Sequence, residues 1–189
     1  GKSRLLDELR ARALVRGAVV LHGQAVQGGG LLYQLWREPL RYLALTTPLS
    51  DLEAGVLQDI VPDLSALLGR EIPPPPPADA VLQQQRLAHT LVDLFARQPG
   101  PLVLLLEDLQ WTGEGLELLR ALNRRVHVLP LLIVADYRDD EAPGLPADLP
   151  GMTVLRLERL SPASIADLSY AMLGETGRQR DVLDLLGRE

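Results

Sequence analysis

The stretch that decides the fold is LVLLLED at residues 102–108, in which five consecutive apolar residues end abruptly in Glu107 and Asp108. A short apolar run without a polar break predicts a strand that is buried on both faces of a parallel sheet. A buried strand with two adjacent acids at its tip is typical of a magnesium-nucleotide site. Leu109, Gln110 and Trp111 follow the acids and complete the stretch.

A second pattern lies at the start of the chain, where Gly1, Lys2 and Ser3 lead into apolar residues at helical spacing. A Gly-Lys-Ser sequence that opens a helix resembles the end of a phosphate-binding loop, whose other glycine would precede residue 1. Without this partner, Glu107 and Asp108 are best interpreted as acids that end a strand in solvent. Together the two patterns are typical of P-loop nucleotidases.

Composition narrows the function classes further. The chain has 189 residues, 47% of them hydrophobic, which is enough for one folded domain with a core. The formal charge is −6 with no basic stripe, so we expect no direct nucleic-acid binding by this segment. The absence of cysteine excludes disulfides and thiolate chemistry. The longest apolar stretch, residues 126–135, is too short and too interrupted to span a membrane, and with no secretory signal we expect a cytoplasmic location.

The order of predicted elements favours an α/β fold. Apolar runs predict strands at residues 18–21, 102–106, 131–136 and 153–157. Helical patterns predict helices that begin at Ser3, near Glu114 and after Ser161, and a surface loop at the five prolines 73–77. Strands that alternate with helices imply a mainly parallel sheet covered on both faces. Together with the resemblance of Gly-Lys-Ser to a phosphate loop, this order predicts a P-loop three-layer sandwich. Its first strand and the start of its phosphate loop would precede residue 1.

The resemblance becomes specific in two segments. EDLQW at residues 107–111, followed after the next strand by YRDDE at residues 137–141, resembles the Walker B and sensor regions of the STAND branch of AAA-like ATPases. It is similar in particular to the ATPase modules of large bacterial transcriptional regulators and of kinase–ATPase hybrid signalling proteins. LRLERLS at residues 155–161 resembles the segment that leads into that family's lid. The resemblance spans nearly the whole chain and implies ATP binding coupled to a switch, with slow hydrolysis.

The resemblance also implies the nucleotide-binding residues. Lys2 would contact the β- and γ-phosphates and Ser3 the Mg²⁺, with Gly1 and Arg4 completing the cofactor-binding set. Glu107 would hold the same Mg²⁺ through a water molecule. ATP and Mg²⁺ are therefore the expected cofactors.

Two further residues carry catalytic roles by resemblance. Asp108 would polarise the attacking water, and Arg138 would contact the γ-phosphate and report its presence. A planar, permanently charged guanidinium suits that task. The alternative is that Arg138 is a surface partner for the acids at residues 139–141.

Two positions depart from the family's pattern. Thr112 and Gly113 stand where the family usually has Ala-Asp, so an acidic contact at the helix start is missing unless Glu114 replaces it. Asp136 stands where a small hydroxyl residue is common. An additional acid would repel a triphosphate unless Mg²⁺ or a lysine compensates, so hydrolysis is a separate question from binding.

The predicted organisation is one partial ATPase domain over residues 1–189. Residues 1–160 form the nucleotide-binding core, with a helical and proline-rich insertion at residues 24–100, and residues 161–189 begin a helical lid. We expect the partners to be ATP and ADP, other domains of the same polypeptide, and further copies in a nucleotide-dependent self-association. These residues alone are expected to bind ATP weakly and to be poorly soluble.

Three functions remain open at this point. The first is a nucleotide-dependent switch in a signalling or transcription-regulating protein. The second is a DNA-associated loader or initiator ATPase, which would need a basic DNA-binding domain and an arginine that acts across subunits. The third is a degenerate scaffold that keeps the fold without hydrolysing ATP. Turnover measurements separate the third function from the first two.

Overall fold

The computed structural model describes residues 1–28, 32–158 and 161–179. The chain divides into two units, the larger of which is Lys2–Thr153. The larger unit contains a parallel sheet with helices packed around it. The described part of the smaller unit, which follows Thr153, contains one α-helix and a 3₁₀ turn.

Strands and helices alternate along the larger unit, as the sequence predicts. In its described residues the strands are β1 (Val19–Gln24), β2 (Leu102–Glu107) and β3 (Leu131–Ala135). The α-helices of this unit are α1 (Lys2–Val15), α2 (Gln34–Thr46), α3 (Asp51–Leu57), α4 (Leu64–Leu68), α5 (Ala80–Ala96), α6 (Gly115–Asn123) and α7 (Leu145–Asp148). Short 3₁₀ turns lie at Leu109–Trp111 and Val126–Val128. The smaller unit contains α8 (Pro162–Leu173) and a 3₁₀ turn at Gly174–Arg178.

The sheet has the order β1-β2-β3 with both strand pairs parallel. Leu102 lies between Val19 and Leu131, which sets one register across all the strands. The strand β2 is central, and its five apolar residues are all buried. The α/β class with a parallel sheet, consistent with a P-loop NTPase fold, is therefore confirmed.

The two faces of the sheet are covered differently. Side chains of Leu104 and Leu106 point into a large cluster built with α2, α5 and α6. The alternate positions Val103 and Leu105 point to the opposite face, since side chains alternate along a strand. There they meet a smaller cluster that includes Leu6 of α1. The helix that begins at Lys2 is thus held by fewer buried contacts than the helices on the other face.

The helical region between β1 and β2 is tied to the sheet layer by Trp36. This side chain is fully buried, and its indole N–H donates to the Gly115 carbonyl oxygen at 2.8 Å. Trp36 belongs to α2 and Gly115 opens α6, so the hydrogen bond joins two helices 79 positions apart in sequence. Residues 73–77 have neither helix nor strand, in agreement with the predicted proline loop.

Two strand predictions need correction. The strand predicted at residues 153–157 is wrong, because these residues have no regular secondary structure and Val154, Leu155 and Leu157 are 52%, 73% and 47% exposed. A strand is held by hydrogen bonds to a neighbouring strand, and in the described residues only β1, β2 and β3 pair. The predicted strand 18–21 is real but continues to Gln24.

The helix predicted after Ser161 is confirmed as α8. The Ser161 hydroxyl accepts a hydrogen bond from the Ser164 N–H at 3.1 Å, and Pro162 occupies the first helical position. Residues 159–160 and 180–189 lie outside the described residues. Part of the segment that resembles the lid lead-in, and the end of the predicted lid region 161–189, therefore lie outside the described residues.

Candidate functional site

The candidate site lies at the carboxyl edge of the sheet. Because the strands are parallel, the residues that end β1, β2 and β3 lie at one edge. Gln24 lies opposite Glu107 in the register of β1 and β2. The Asp136 N–H donates to the Leu106 carbonyl oxygen at 2.9 Å, which continues the pairing of β2 and β3 beyond the last residue of β3. The sheet thus delivers side chains from all these strand ends to one place.

Asp108 is held in a left-handed backbone conformation, with φ at 59°. Few residues other than glycine adopt this conformation, and aspartate is among those that tolerate it. Its amide N–H donates to Asp136 Oδ1 at 2.7 Å. Its carboxylate accepts hydrogen bonds from Gln24 at 3.1 Å and from Gln110 at 3.2 Å. The turn after β2 is therefore fixed by its neighbours on both sides.

Glu107 contacts His22, a residue outside the site predicted from sequence. Glu107 Oε1 lies 2.7 Å from His22 Nε2, and the two side chains are partly exposed. His22 and Gln24 were missed as site residues because neither belongs to a recognised motif. The usable signal was the alternation in β1, where exposed His22 and Gln24 flank buried Gly23. Extending the predicted strand to Gln24 would have brought both side chains to the edge that carries Glu107.

Asp136 is the acid that departs from the family pattern, and the structure brings it next to the acids of β2. Burial raises its pKa, and the charges of Asp108 and Glu107 raise it further. The Asp108 amide N–H and Lys2 oppose these effects. The net direction of the pKa is upward, with burial as its largest cause, so the folded chain disfavours the charged form of Asp136.

Lys2 is a cation whose charge acts on Asp136 at this edge. Its ammonium group donates to the carbonyl oxygen of Tyr137 at 3.1 Å, and Tyr137 directly follows Asp136 in sequence. Lys2 is also the first residue of α1, where the helix dipole favours an anion. Among the other predicted nucleotide-binding residues, Gly1, Ser3 and Arg4 are exposed. The structure therefore brings Lys2 together with the acids.

Arg138 lies one residue beyond Tyr137 and is linked to the same edge through its backbone. Its N–H donates to Gln110 Oε1 at 3.1 Å, and Gln110 in turn donates to Asp108. The guanidinium group contacts Glu141 at 3.2 Å and lies 5.6 Å from the centre of the Trp111 ring. The surface pairing left open by the sequence is thus the contact that the structure contains, while the backbone keeps Arg138 next to the acids.

Glu114 does not replace the missing acidic contact in the described structure. It precedes α6, and its side chain makes no capping hydrogen bond to that helix. Gly113 has φ at 55°, a conformation that favours glycine, so the departure at this position coincides with a tight turn.

A family model of the AAA ATPase domain matches residues 1–134 of the chain. The chain belongs to the AAA ATPase family. An AAA ATPase domain is a nucleotide-binding module of the P-loop class, so the predicted P-loop ATPase is confirmed at that level. A search of curated proteins and a search of solved structures gave no match.

The residues matched to the AAA ATPase domain include α1, β1 and β2, and end within β3. Lys2, Ser3, Glu107 and Asp108 therefore lie inside the match, whereas Arg138 lies after it. Among the described residues of this AAA ATPase domain, no helix is long and apolar enough to cross a membrane.

Proposed function

We propose that this AAA ATPase domain is a regulatory switch that binds Mg-ATP at the carboxyl edge of its sheet and hydrolyses it slowly. The observation that carries the proposal is the approach of Lys2 to the end of β3. Its ammonium group donates to the Tyr137 carbonyl oxygen, and its charge acts on Asp136, which accepts from the Asp108 N–H. A phosphate site needs a cation at a helix N-terminus, and a magnesium site needs carboxylates nearby. The chain brings both to one edge.

A Mg²⁺ bound with a nucleotide keeps several waters and takes only one or two protein carboxylates, so this edge suits it although no three His, Asp or Glu side chains of the described residues cluster as a metal site. Burial, and to a smaller extent the charges of Asp108 and Glu107, raise the pKa of Asp136, so the neighbouring acids add to the cost of its charged form. When bound, Mg²⁺ would neutralise charge on the phosphates and on these carboxylates. Ser3 and Glu107 are the proposed Mg²⁺ ligands, the latter through water.

The remaining residues have distinct proposed tasks. Lys2 holds phosphate oxygens, with Gly1 and Arg4 beside it at the start of α1. Asp108 accepts a proton from the attacking water, a task for which Gln24 and Gln110 orient its carboxylate. Arg138 reports the terminal phosphate through its guanidinium group.

The wider context is also proposed. The domain works in a multidomain signalling or transcription-regulating protein of the STAND kind, in the cytoplasm, with other domains of the polypeptide and further copies of itself as partners. Residues 1–160 form the nucleotide core with the insertion 24–100, and residues 161–189 begin the lid. ATP drives the switch only as far as its affinity differs between the two states.

The test is Mg-ATP binding and turnover by the full-length protein, measured by titration calorimetry and phosphate release. Lys2→Ala is expected to weaken binding by about tenfold or more, because it removes a charge-assisted contact. Asp108→Asn keeps the left-handed backbone acceptable, so binding should persist while turnover falls by about 100-fold or more. Arg10→Ala, an exposed change on the same helix, is the matched control.

The outcomes separate an active ATPase from the scaffold and test the proposed site. Binding that depends on Lys2 together with turnover that depends on Asp108 supports an active ATPase, as both the switch and the DNA-associated loader require. Binding that depends on Lys2 without turnover supports the non-hydrolysing scaffold. ATP binding that persists unchanged in Lys2→Ala would contradict the proposed site.

A further inference from the structure

Arg138, Glu141 and Trp111 form a closed ring of side-chain contacts beside the proposed site. Glu141 Oε1 accepts from the Arg138 guanidinium at 3.2 Å. Glu141 Oε2 accepts from the Trp111 indole N–H at 2.8 Å. The guanidinium carbon lies 5.6 Å from the centre of the Trp111 ring. Each member of the ring therefore contacts both of the others, and each oxygen of Glu141 has its own donor.

The local backbone explains how the ring forms. After β3 the chain makes a turn in which the Ala142 N–H donates to the Arg138 carbonyl oxygen at 3.0 Å. A turn of this kind brings residues three apart onto one side, so Glu141 faces Arg138. Trp111 ends the 3₁₀ turn that follows the acids of β2. The ring thus connects the segment after β2 with the segment after β3.

The ring is weak enough to open. The Arg138 side chain is 52% exposed and that of Glu141 is 31% exposed, and ion pairs in such positions contribute little. The Arg138 backbone, in contrast, is held by Gln110 next to Asp108. The guanidinium group can therefore leave Glu141 while its main chain stays beside the site.

We propose that Glu141 is a specificity-determining residue that competes with the terminal phosphate of a bound nucleotide for the Arg138 guanidinium. A carboxylate and a phosphate are both anionic acceptors for a guanidinium, and Glu141 Oε1 already accepts from one nitrogen of Arg138, so a terminal phosphate must compete with Glu141 for that donor. A diphosphate lacks the terminal group and leaves the Arg138–Glu141 pair intact. Glu141 thereby lowers the preference for triphosphate over diphosphate. The inference rests on the proposed function and names the regulation of that same site.

The variant that isolates this competition is Glu141→Gln, which removes the charge but keeps an oxygen to accept from Trp111. In the full-length protein, Mg-ATP is expected to bind about two- to fivefold more tightly, the range typical of one exposed ion pair. Mg-ADP binding should change by less than about twofold, since no group of ADP displaces Glu141. Glu117→Gln is the matched control, because Glu117 pairs with Arg120 at the same spacing.

A double-mutant cycle asks whether Glu141 acts through Arg138. In the Arg138→Gln background, Glu141→Gln should no longer change the ratio of ATP to ADP affinity. An unchanged ratio in Glu141→Gln, or a change that persists without Arg138, overturns the competition while leaving Lys2-dependent binding, and so the proposed function, in place. A wild-type protein that binds neither nucleotide would overturn both proposals.

Trp111 gives a readout that does not depend on turnover. The emission of Trp111 is obtained as the difference between each protein and its counterpart with Trp111→Phe. Mg-ATP is expected to change this emission in the wild type, because Arg138 leaves the ring, and to leave it unchanged in Arg138→Gln. Emission that Mg-ATP does not alter in the wild type contradicts the release of Arg138.

Discussion

The helical scaffold, which comprises α2 to α5, and the carboxyl edge of the sheet each contain a partly buried acid, and the pKa values of these two acids shift in opposite directions. Glu53 of α3 accepts hydrogen bonds from the Ser50 N–H and hydroxyl, both at 2.8 Å, and pairs with Arg97. Although burial raises its pKa, these partners lower it, and the net direction is downward. At the edge of the sheet, burial and neighbouring acids raise the pKa of Asp136.

The opposite pKa shifts distinguish an acid whose charge stabilises the fold from an acid whose charge is suited to a ligand. In the scaffold a carboxylate is satisfied by the chain itself, so its charge contributes to folding. At the edge, Asp136 carries a charge that the folded chain disfavours, which is common where a ligand supplies the compensating charge. Substitutions in the scaffold should therefore cost stability, whereas neutralising the edge acid should add to it.

The largest expected effect is in the scaffold core. Trp36→Ala should lower the free energy of unfolding by about 3–5 kcal/mol, because it empties a fully buried site and leaves the Gly115 carbonyl without its donor. The measurement is urea unfolding followed by circular dichroism. Trp111→Ala, the matched change at the edge, should cost less than about 1.5 kcal/mol because this ring is only partly buried. Equal losses would remove the distinction between the two regions.

A smaller effect is expected at Glu53. Glu53→Gln should cost about 1 kcal/mol at pH 7, because it removes charge from a partly exposed pair with Arg97 and from the capping box with Ser50. A lowered folded-state pKa means that this stability is present above the ordinary value of 4.5 and is lost as pH falls through the folded value. Unfolding at pH 7 and pH 3 tests this, with Glu8→Gln as an exposed control. A difference that grows toward pH 3 would contradict the sign.

The smallest effect has the opposite direction. Asp136→Asn should raise the free energy of unfolding at pH 7 by less than about 1 kcal/mol, since the site is partly solvated and Asn keeps an acceptor for the Asp108 N–H. With a raised folded-state pKa, stability falls as pH rises above the ordinary value of 3.8. The gain should therefore be present at pH 7 and absent well below 3.8. Asp139→Asn is the exposed neighbour for comparison, and a loss of stability in Asp136→Asn would refute the contrast.

Most of the sheet was predictable from sequence. The apolar run before Glu107 and Asp108 predicted β2 because a continuous apolar segment of that length must be buried on both faces. The alternation of strands and helices predicted the parallel sheet, because helices that connect successive strands allow those strands to run in the same direction. The segment 153–157 also has strand-like apolar residues, but a strand forms only with a neighbour, and sequence patterns in one segment do not reveal whether a neighbour is there.

In the candidate site, the two acids and the lysine could be named from sequence, whereas most of the side chains that contact them could not. Glu107, Asp108 and Lys2 belong to motifs whose spacing is visible in the sequence. His22 contacts Glu107 across 85 positions, so only the register of β1 against β2 brings the two together. The contact of Arg138 with Glu141 is local, and sequence reasoning named it as one alternative, but the Trp111 contact depends on how two segments meet.

The most direct test of the account is to ask whether Lys2 faces the phosphates of ATP. Lys2 is the only lysine among the 189 residues, so a lysine labelled in this domain is identified without ambiguity. An acyl-phosphate derivative of ATP, which transfers its acyl group to a nearby lysine amine, is mixed with the full-length protein and Mg²⁺, and the products are mapped by mass spectrometry. We expect acylation of Lys2 that excess Mg-ATP prevents. Lys2 that stays unlabelled, or is labelled equally with and without Mg-ATP, would contradict it.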